Sequence, residues 1–198
     1  MVLSLLPYEM PTQILPVVFQ MRASVRIVLV LSAVLALQAA TSAQRAERSD
    51  RSDRETADRV AATVRSYPQF GIFDDVNISV GDGIVTLTGC VTMPFKREEI
   101  GGRVTKIEGV RRLANDLRVL PVSQTDANLR VRIAQAIYGH PAFLAYATMA
   151  HPSIHIIVEG GRVELTGVVG TMADRSLAFA LAQVPGTFAV KNSLRVDK

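Results

Sequence analysis

The hydrophobic residues of the chain follow the same succession of spacings twice. In each half, apolar residues first recur every three or four positions, which predicts a helix, and a proline follows the run. The apolar positions of these two predicted helices are Val60 and Val64 in the first half and Leu129, Ile133 and Ile137 in the second. Asp126 precedes the second run and is its predicted N-cap.

Alternating apolar and polar residues follow each of these helices and predict a pair of strands joined by a tight turn. The turns fall at Asp82-Gly83 and at Gly160-Gly161, where glycine permits the positive φ that two-residue turns require. The returning strands read IVTLTGCV and RVELTGVV, so both contain the motif Leu-Thr-Gly. The chain is therefore expected to hold two β-hairpins of similar design.

A second helical run and a final strand complete each half. The apolar stripes of these helices are Ile100, Val104 and Ile107 in the first half and Leu177, Leu181 and Val184 in the second. The final strands are predicted at Val110–Leu120 and Phe188–Val196, and both contain Asn-x-Leu-x-Val. The predicted fold class is α+β, with two tandem αββαβ units, each a three-stranded sheet with two helices packed on one face. The other face of each sheet is left for solvent or for the sister unit.

We place the two units, called the first and second repeat from here on, at residues 57–122 and 126–198. Residues 44–56 carry closely balanced arginines and acids, a composition that predicts a solvated linker or the frayed start of a helix. The second repeat differs from the first by an insertion, Leu144–Ser153, before its hairpin. An equal division of roles between the repeats is therefore not expected.

Residues 21–43 have the three parts of a secretory signal. A basic start with Arg22 and Arg26 precedes the apolar run IVLVLSAVLALQAA, and small residues then lead to Ala43, the predicted cleavage point. The run is shorter than the ~18 residues of a spanning helix, and an uncleaved membrane anchor is the alternative. Residues 1–20 precede a signal that has its own Met21, and we interpret them as lying upstream of the true start.

The two halves resemble BON domains, named for bacterial osmotic-protection and nodulation proteins. The resemblance rests on a helix and a strand, then DGIVTLTGCV, a charged helix, Glu-Gly-Val and the closing Asn-x-Leu-x-Val, and it covers residues 57–119 and 129–196. Two such domains behind an export signal are similar in layout to the osmotically inducible protein Y group. The resemblance also implies six signature glycines, which we interpret as backbone-geometry residues: Gly83, Gly89, Gly109, Gly161, Gly167 and Gly186.

What this resemblance implies about function is a periplasmic protein without catalytic activity. Such a protein is expected to bind phospholipid surfaces and to protect the envelope under osmotic or other stress. The alternative that the resemblance also implies is a chaperone or assembly module for exported proteins, which would bind their apolar segments.

The charge of the chain adds a candidate for the lipid site. The formal net charge of +4 is spread over both halves rather than concentrated, so nucleic acid is not the expected partner. The second helix of the first repeat and the turn after it present a basic edge that we expect to meet anionic head groups. Its residues are Lys96, Arg97, Arg103, Lys106, Arg111 and Arg112. An ordinary charged outer face is the alternative.

The second helix of the second repeat is apolar nearly all round, which is typical of a helix that is covered on every side. Phe179 lies opposite its core-facing stripe, and Met172 stands at its start. We expect these two residues to dock the other repeat, a second chain or a membrane interface. Self-association through the second repeat is one form of this prediction, and capture of apolar client segments is another.

Catalytic motifs are absent from the sequence, and we expect a protein that is not an enzyme and needs no cofactor. Its three histidines fall on loop and strand positions of the second repeat, so we interpret them as capping or solvent-facing residues rather than metal ligands. They are His140, His151 and His155. The pair Asp74-Asp75 is expected in a turn, and the lone Cys90 is expected to be buried.

Overall fold

The computed structural model describes residues 44–45 and 47–197. The predicted leader and secretory signal, residues 1–43, lie outside the described residues. Within the described part, no helix is long and apolar enough to cross a membrane. The helices are α1 (residues 47–65), α2 (Pro94–Val104), α3 (Gln124–Tyr138), α4 (Leu144–Ala147) and α5 (Met172–Leu181). The strands are β1 (Asp75–Gly81), β2 (Ile84–Val91), β3 (Arg112–Asn115), β4 (Arg118–Val119), β5 (Ile154–Glu159), β6 (Arg162–Val169), β7 (Ala189–Asn192) and β8 (Arg195–Val196).

Each repeat forms one mixed sheet built around the returning strand of its hairpin. β2 pairs antiparallel with β1 and parallel with the closing strand, and β6 does the same in the second repeat. The closing strand is interrupted, because β3 and β4 both pair with β2 but are separated by Asp116 and Leu117. The predicted α+β class with two tandem αββαβ repeats is confirmed, although the closing strands are shorter than predicted.

An asparagine side chain interrupts the closing strand in both repeats. Asn115 Oδ1 accepts a hydrogen bond from Leu117 N at 3.5 Å, and Asn115 Nδ2 donates to Arg97 O at 2.9 Å. Asn192 makes the equivalent bonds in the second repeat, at 3.3 and 2.8 Å. The side chain competes with the strand for backbone groups and ties the strand to the preceding helix. This accounts for the shared Asn-x-Leu-x-Val motif.

Each repeat has its own hydrophobic core between its sheet and its two long helices. The buried residues of the first core are Val60, Val64, Tyr67, Val85, Leu87, Val91, Ile100, Val104 and Leu117. Those of the second are Leu129, Ile133, Ile137, Phe143, Ile154, Ile156, Val158, Val163, Leu165, Val169, Ala178, Ala182 and Leu194. Full burial of a large aliphatic side chain contributes about 1.5–3 kcal/mol, so the stripes of α1 and α3 dominate the attachment of these helices.

The helix-free faces of the two sheets meet. Cys90 and Leu120 of the first repeat form a small buried apolar cluster with Ile157 of the second. Polar contacts surround this cluster, including an ion pair of 3.2 Å between Arg118 and Glu159. Of the two alternatives for the open sheet faces, solvent or the sister repeat, the structure therefore shows contact with the sister repeat.

Residues 50–56 of the charged segment lie within α1, in agreement with a helix start rather than with a linker. Asp53, in this segment, accepts hydrogen bonds from the hairpin-turn amides of Asp82 at 2.8 Å and Gly83 at 3.0 Å. In the second repeat, Asp126 accepts from the Gly160 and Gly161 amides at 2.8 and 2.9 Å. Asp126 is therefore not the N-cap that the sequence predicted.

The N-cap of α3 is Ser123, whose hydroxyl accepts a hydrogen bond from the Asp126 amide at 3.2 Å. The helix begins at Gln124, so the second repeat also starts earlier than residue 126. In both repeats, an aspartate of the first helix thus holds the hairpin turn. The sequence did not indicate this role of Asp53, because its partner amides lie about thirty residues further along the chain. Within α1 it is one of several acids that balance the arginines.

A 3-10 turn, Pro141–Phe143, leads into the insertion of the second repeat, which begins with α4. α4 provides Tyr146, whose hydroxyl accepts a hydrogen bond from Gly170 N at 2.7 Å and donates to Asp174 at 3.0 Å. In the first repeat, the amide of Thr92 occupies the place of Gly170 N and donates to Asp74 at 2.8 Å. A tyrosine from the insertion thus replaces a buried carboxylate, which explains how the two repeats satisfy the same backbone amide differently.

Candidate functional site

The hairpin turn of the first repeat and the loop after α2 lie together at one end of the sheet. Arg111 N donates a hydrogen bond to Gly83 O at 2.8 Å, and Arg112 begins β3 opposite Ile84. Both arginine side chains are exposed. The fold therefore brings these two cations to the same end of the repeat as the turn at Asp82-Gly83.

Two further predicted cations extend from the end of α2. Arg103 is in the last turn of α2, and its guanidinium carbon lies 5.0 Å from the centre of the Tyr67 ring. This cation–π geometry fixes the charge while leaving the guanidinium edge in solvent. Arg103 and Lys106 line an open groove of about 790 Å³, which Thr63 of α1 and Glu99 of α2 complete.

The sequence did not point to a fifth cation of this end, Arg59 of α1. Its guanidinium lies 3.5 Å from Thr56 Oγ1 and close to Gly109 in the loop after α2. Gly109 has a φ of 95° and lies so close to Thr56 that a Cβ would be 2.6 Å from the hydroxyl, which explains why glycine is needed there. No spacing rule connects Arg59 to this loop, since about fifty residues separate them. We call the five exposed cations the basic end: Arg59, Arg103, Lys106, Arg111 and Arg112.

The cations of the basic end have no ion-pair partner in the described part of the chain. The ion pairs there join Lys96 with Asp74, Arg118 with Glu159, and Lys191 with Glu164. Next to the basic end, Ile84 is 41% exposed although it lies in a strand. The arrangement is a group of solvated positive charges beside an exposed aliphatic side chain.

Two of the predicted lipid-binding residues do not belong to this surface. Lys96 is only 13% exposed and lies 2.7 Å from Asp74, whose side chain is fully buried. Arg97 donates to Asn115 O at 3.1 Å and so helps to hold the closing strand. Both stand near the start of α2, at the other end of the helix from Arg103. Their contacts explain them as structural residues, which the sequence could not distinguish from surface cations.

The BON domain family model matches the chain over residues 50–121 and again over residues 125–198. The chain belongs to the BON domain family. The first BON match begins at residue 50, inside α1, in agreement with the hairpin contact of Asp53. BON domains are generally non-catalytic.

A search of curated proteins found no match to the chain. Two solved structures are similar to it, both of CdsD, a structural protein of the type III secretion system of Chlamydia trachomatis. One, of the C-terminal domain, is 16% identical, covers 74% of this chain and 67% of its own, and has a TM-score of 0.30. The other is 14% identical, covers 70% and 91%, and has a TM-score of 0.25.

The six signature glycines of the BON repeats all have positive φ, between 73° and 113°. At Gly89 and Gly167, a side chain would also collide with the backbone carbonyl of the neighbouring strand, at Asp75 and Ser153 respectively. The positive φ of all six therefore agrees with their interpretation as backbone-geometry residues.

The second BON repeat carries Phe188 where the first carries Arg111. Phe188 donates its backbone N–H to Gly161 O at 2.9 Å, as Arg111 does to Gly83 O, and its side chain is 82% exposed. On α5, Met172 is 59% exposed and Phe179 38% exposed. The contacts described between the repeats involve the sheets and the loop before β1. Docking of the other repeat, a second chain or a membrane by Met172 and Phe179 stays a prediction.

A polar cleft of about 850 Å³ lies between the open faces of the two BON sheets. Cys90 and His155 line it, together with charged side chains from both repeats: Arg65, Asp75, Asp116, Arg118, Glu164 and Arg195. Burial raises the pKa of the Cys90 thiol, against the opposing effect of Arg118. The thiol is therefore protonated at neutral pH and is not poised as a nucleophile.

The histidines of the second BON repeat have different surroundings, and the half-buried His155 is neither a cap nor solvent-facing, since its Nδ1 is buried without a hydrogen-bond partner among the described residues. His140 Nδ1 accepts a hydrogen bond from Ala142 N at 3.2 Å, and the His155 ring packs at 5.5 Å from that of Phe70. His151 is exposed. No group of three or more metal-ligating side chains is present among the described residues.

Proposed function

We propose that this BON protein is an exported, non-catalytic envelope protein that associates with anionic phospholipid surfaces through the basic end of its first repeat. The observation that carries this proposal is the convergence of the five exposed cations of the basic end, none of which has an ion-pair partner in the described chain. The predicted secretory signal and the BON family membership support an envelope location. Protection of the envelope under osmotic or other stress is the physiological role that we propose for this association.

The physical basis is the attraction of clustered cations to an anionic leaflet. Each lysine or arginine held near such a surface contributes about 1 kcal/mol, and the attraction decays over a Debye length of about 10 Å at 0.1 M salt. Ile84, beside Arg112, adds an aliphatic side chain that can enter the head-group region. Binding should therefore combine a salt-dependent electrostatic part with a smaller apolar part.

Co-sedimentation with vesicles tests the proposal. The protein as recovered from expressing cells is mixed with anionic or neutral vesicles over a series of salt concentrations. The double variant Arg111→Glu/Arg112→Glu is expected to lose about 2 kcal/mol or more of binding to anionic vesicles, roughly 30-fold in affinity. The matched control is Arg132→Glu/Arg162→Glu, which reverses two exposed arginines of the second repeat. Equal losses in both variants, or none in either, would show that the basic end is not the lipid site.

A second candidate function is the binding of apolar segments of exported proteins. An apolar groove of about 670 Å³ favours it, with walls from the loop before β1 and from α3. Its residues include Ile72, Phe73, Val131 and Tyr138, and the Val131 side chain is 48% exposed. In a chaperone assay on an unfolded exported protein, Val131→Glu should weaken suppression of aggregation, and salt should have little effect. Full activity of this variant would exclude the groove as the client site.

A further inference from the structure

The outer edges of the two hairpins differ in how their backbone groups are satisfied. In β1, Gly81 pairs with Ile84 across the two-residue turn. Counting back from Gly81, every second residue of β1 therefore makes its backbone hydrogen bonds to β2. The residues between them direct their N–H and C=O groups away from the sheet: Val76, Ile78 and Val80. The equivalent residues of β5 are Ile154, Ile156 and Val158.

The edge of β5 is closed by three groups, one from the loop before β1 and two from α3. Ile156 N donates to Ile72 O at 2.7 Å. The buried Arg130 donates to Val158 O at 2.7 Å, and the Tyr138 hydroxyl donates to Ile154 O. An additional strand cannot pair here without displacing these contacts.

The edge of β1 lacks every one of these devices. The first-repeat counterparts of Arg130 and Tyr138 are Ala57 and Arg65, found by aligning Asp126 with Asp53. Neither donates a hydrogen bond to β1, and β1 pairs only with β2 in the described chain. The strand also has no proline or lysine, the residues that usually protect an exposed edge. Its exposed side chains, Asn77 and Ser79, are uncharged.

We propose that β1 pairs antiparallel with β1 of a second copy of this chain, about a two-fold axis at Ile78. In this register Val76 lies opposite the partner's Val80, and Asn77 lies opposite the partner's Ser79. Apolar residues thus meet apolar residues on the helix side, polar residues meet polar residues on the open side, and no like charges face each other. The outward groups of Val76, Ile78 and Val80 in both copies would form about six hydrogen bonds.

The pairing joins the two first-repeat sheets into one sheet that continues across the two-fold axis, which is the symmetry expected of a homodimer. It differs from self-association through Phe179, because it uses only the first repeat. The inference does not depend on lipid binding. A dimer would nevertheless present two basic ends to one membrane, and the second contact would then be intramolecular.

The experiment is sedimentation equilibrium of the protein as recovered from expressing cells, over a concentration series. In Asn77→Lys/Ser79→Lys, the register sets each new lysine opposite a lysine of the partner. The dissociation constant of the dimer should rise about tenfold or more. In Asn77→Lys/Ser79→Glu, each lysine instead faces a glutamate, and dimerisation should return. The control Ser176→Lys/Gln183→Lys adds the same charge to exposed positions on or just after α5 and should dimerise like wild type.

Thermal unfolding of every variant shows that the chain is folded. A wild-type protein that is monomeric at all concentrations overturns the proposal. So does a Lys/Lys variant that dimerises like wild type, and so does a Lys/Glu variant that stays as monomeric as the Lys/Lys variant, since the last result excludes the register. Loss of dimerisation in the Lys/Lys variant with recovery in the Lys/Glu variant establishes it.

Discussion

Lys96 Nζ lies 2.7 Å from Asp74 Oδ2, and the Asp74 side chain is fully buried between the start of β1 and the start of α2. The carboxylate also accepts hydrogen bonds from the backbone amides of Gly71 at 3.0 Å and Thr92 at 2.8 Å. It therefore joins the loop before the hairpin to the helix after it. Lys96 is its only cationic partner among the ion pairs of the described chain.

Replacing Lys96 by methionine should destabilise the first repeat strongly, because it leaves a buried carboxylate without its counter-charge. Removing one partner of a buried pair costs about 3–5 kcal/mol, and the remaining amide donors place this case near the lower value. Urea unfolding measures the difference. The control is Lys191→Met, which breaks a pair of the same 2.7 Å length in which the side chains are 73% and 38% exposed. Its expected cost is below about 1 kcal/mol. Equal costs would mean that burial does not set the strength of the Lys96 pair.

Asp126→Asn should destabilise the second hairpin, because Asp126 accepts hydrogen bonds from both turn amides, of Gly160 and Gly161. A buried amide left unsatisfied costs about 1–3 kcal/mol. The equivalent change, Asp53→Asn, should cost less, since its bond to the Asp82 amide is exposed to water. Chemical denaturation of the two variants ranks them. A larger loss of stability in Asp53→Asn than in Asp126→Asn would contradict the conclusion that burial strengthens these hydrogen bonds.

Periodicity was sufficient to predict the helices, the hairpins and both cores, because those features repeat locally at 3.6 or 2 residues. The functions of individual charged residues were not predictable in the same way. Lys96 and Arg103 have the same appearance in the sequence of α2, yet one pairs with a buried aspartate and the other lies over Tyr67. Their partners are 22 and 36 positions away, at contacts that only the folded chain defines.

The candidate site also combines residues that local sequence patterns indicate with one that only the fold brings in. Arg103, Lys106, Arg111 and Arg112 were identified from the charge of one segment, whereas Arg59 joins them only through the packing of α1 against the loop at Gly109. The contrast at the hairpin edges was likewise invisible in the sequence. Arg130 and Tyr138 act on β5 from another element, and no local pattern indicates that their counterparts leave β1 open.

Because of Tyr138, the free energy of unfolding should depend on pH in alkaline solution. Burial raises the pKa of its hydroxyl well above the ordinary value, against the opposing effect of its hydrogen bond to Ile154 O. Below the unfolded-state pKa of about 10, both states are protonated and the hydroxyl contributes fully to stability. Above it, the unfolded chain ionises while the folded chain does not, so stability falls as pH rises. In Tyr138→Phe, the urea midpoint should change less with pH between about pH 9 and pH 11 than it does in wild type. An unchanged slope would exclude Tyr138 as the cause.

Cys90 should report separation of the two BON repeats, because it is 7% exposed and packs with Leu120 and Ile157 where the sheets meet. Burial both shields the thiol and raises its pKa, so alkylation by iodoacetamide should be slow in the native protein. Ile157→Asp introduces a charge into this cluster and should open the contact. Alkylation near pH 8 is then expected to accelerate about tenfold or more, as measured by mass spectrometry.

The control for this experiment is Ser176→Asp, which introduces the same charge at an exposed position on α5 of the second repeat. It should leave the rate of Cys90 alkylation unchanged. Circular dichroism of Ile157→Asp separates opening of the repeats from unfolding, since each repeat has its own core and should retain its helices and strands. Native secondary structure with fast alkylation means that the repeats hold together through this contact and fold without it. Alkylation as slow as in wild type would mean that contacts elsewhere, such as Phe73 against the second core, are sufficient to keep the sheets together.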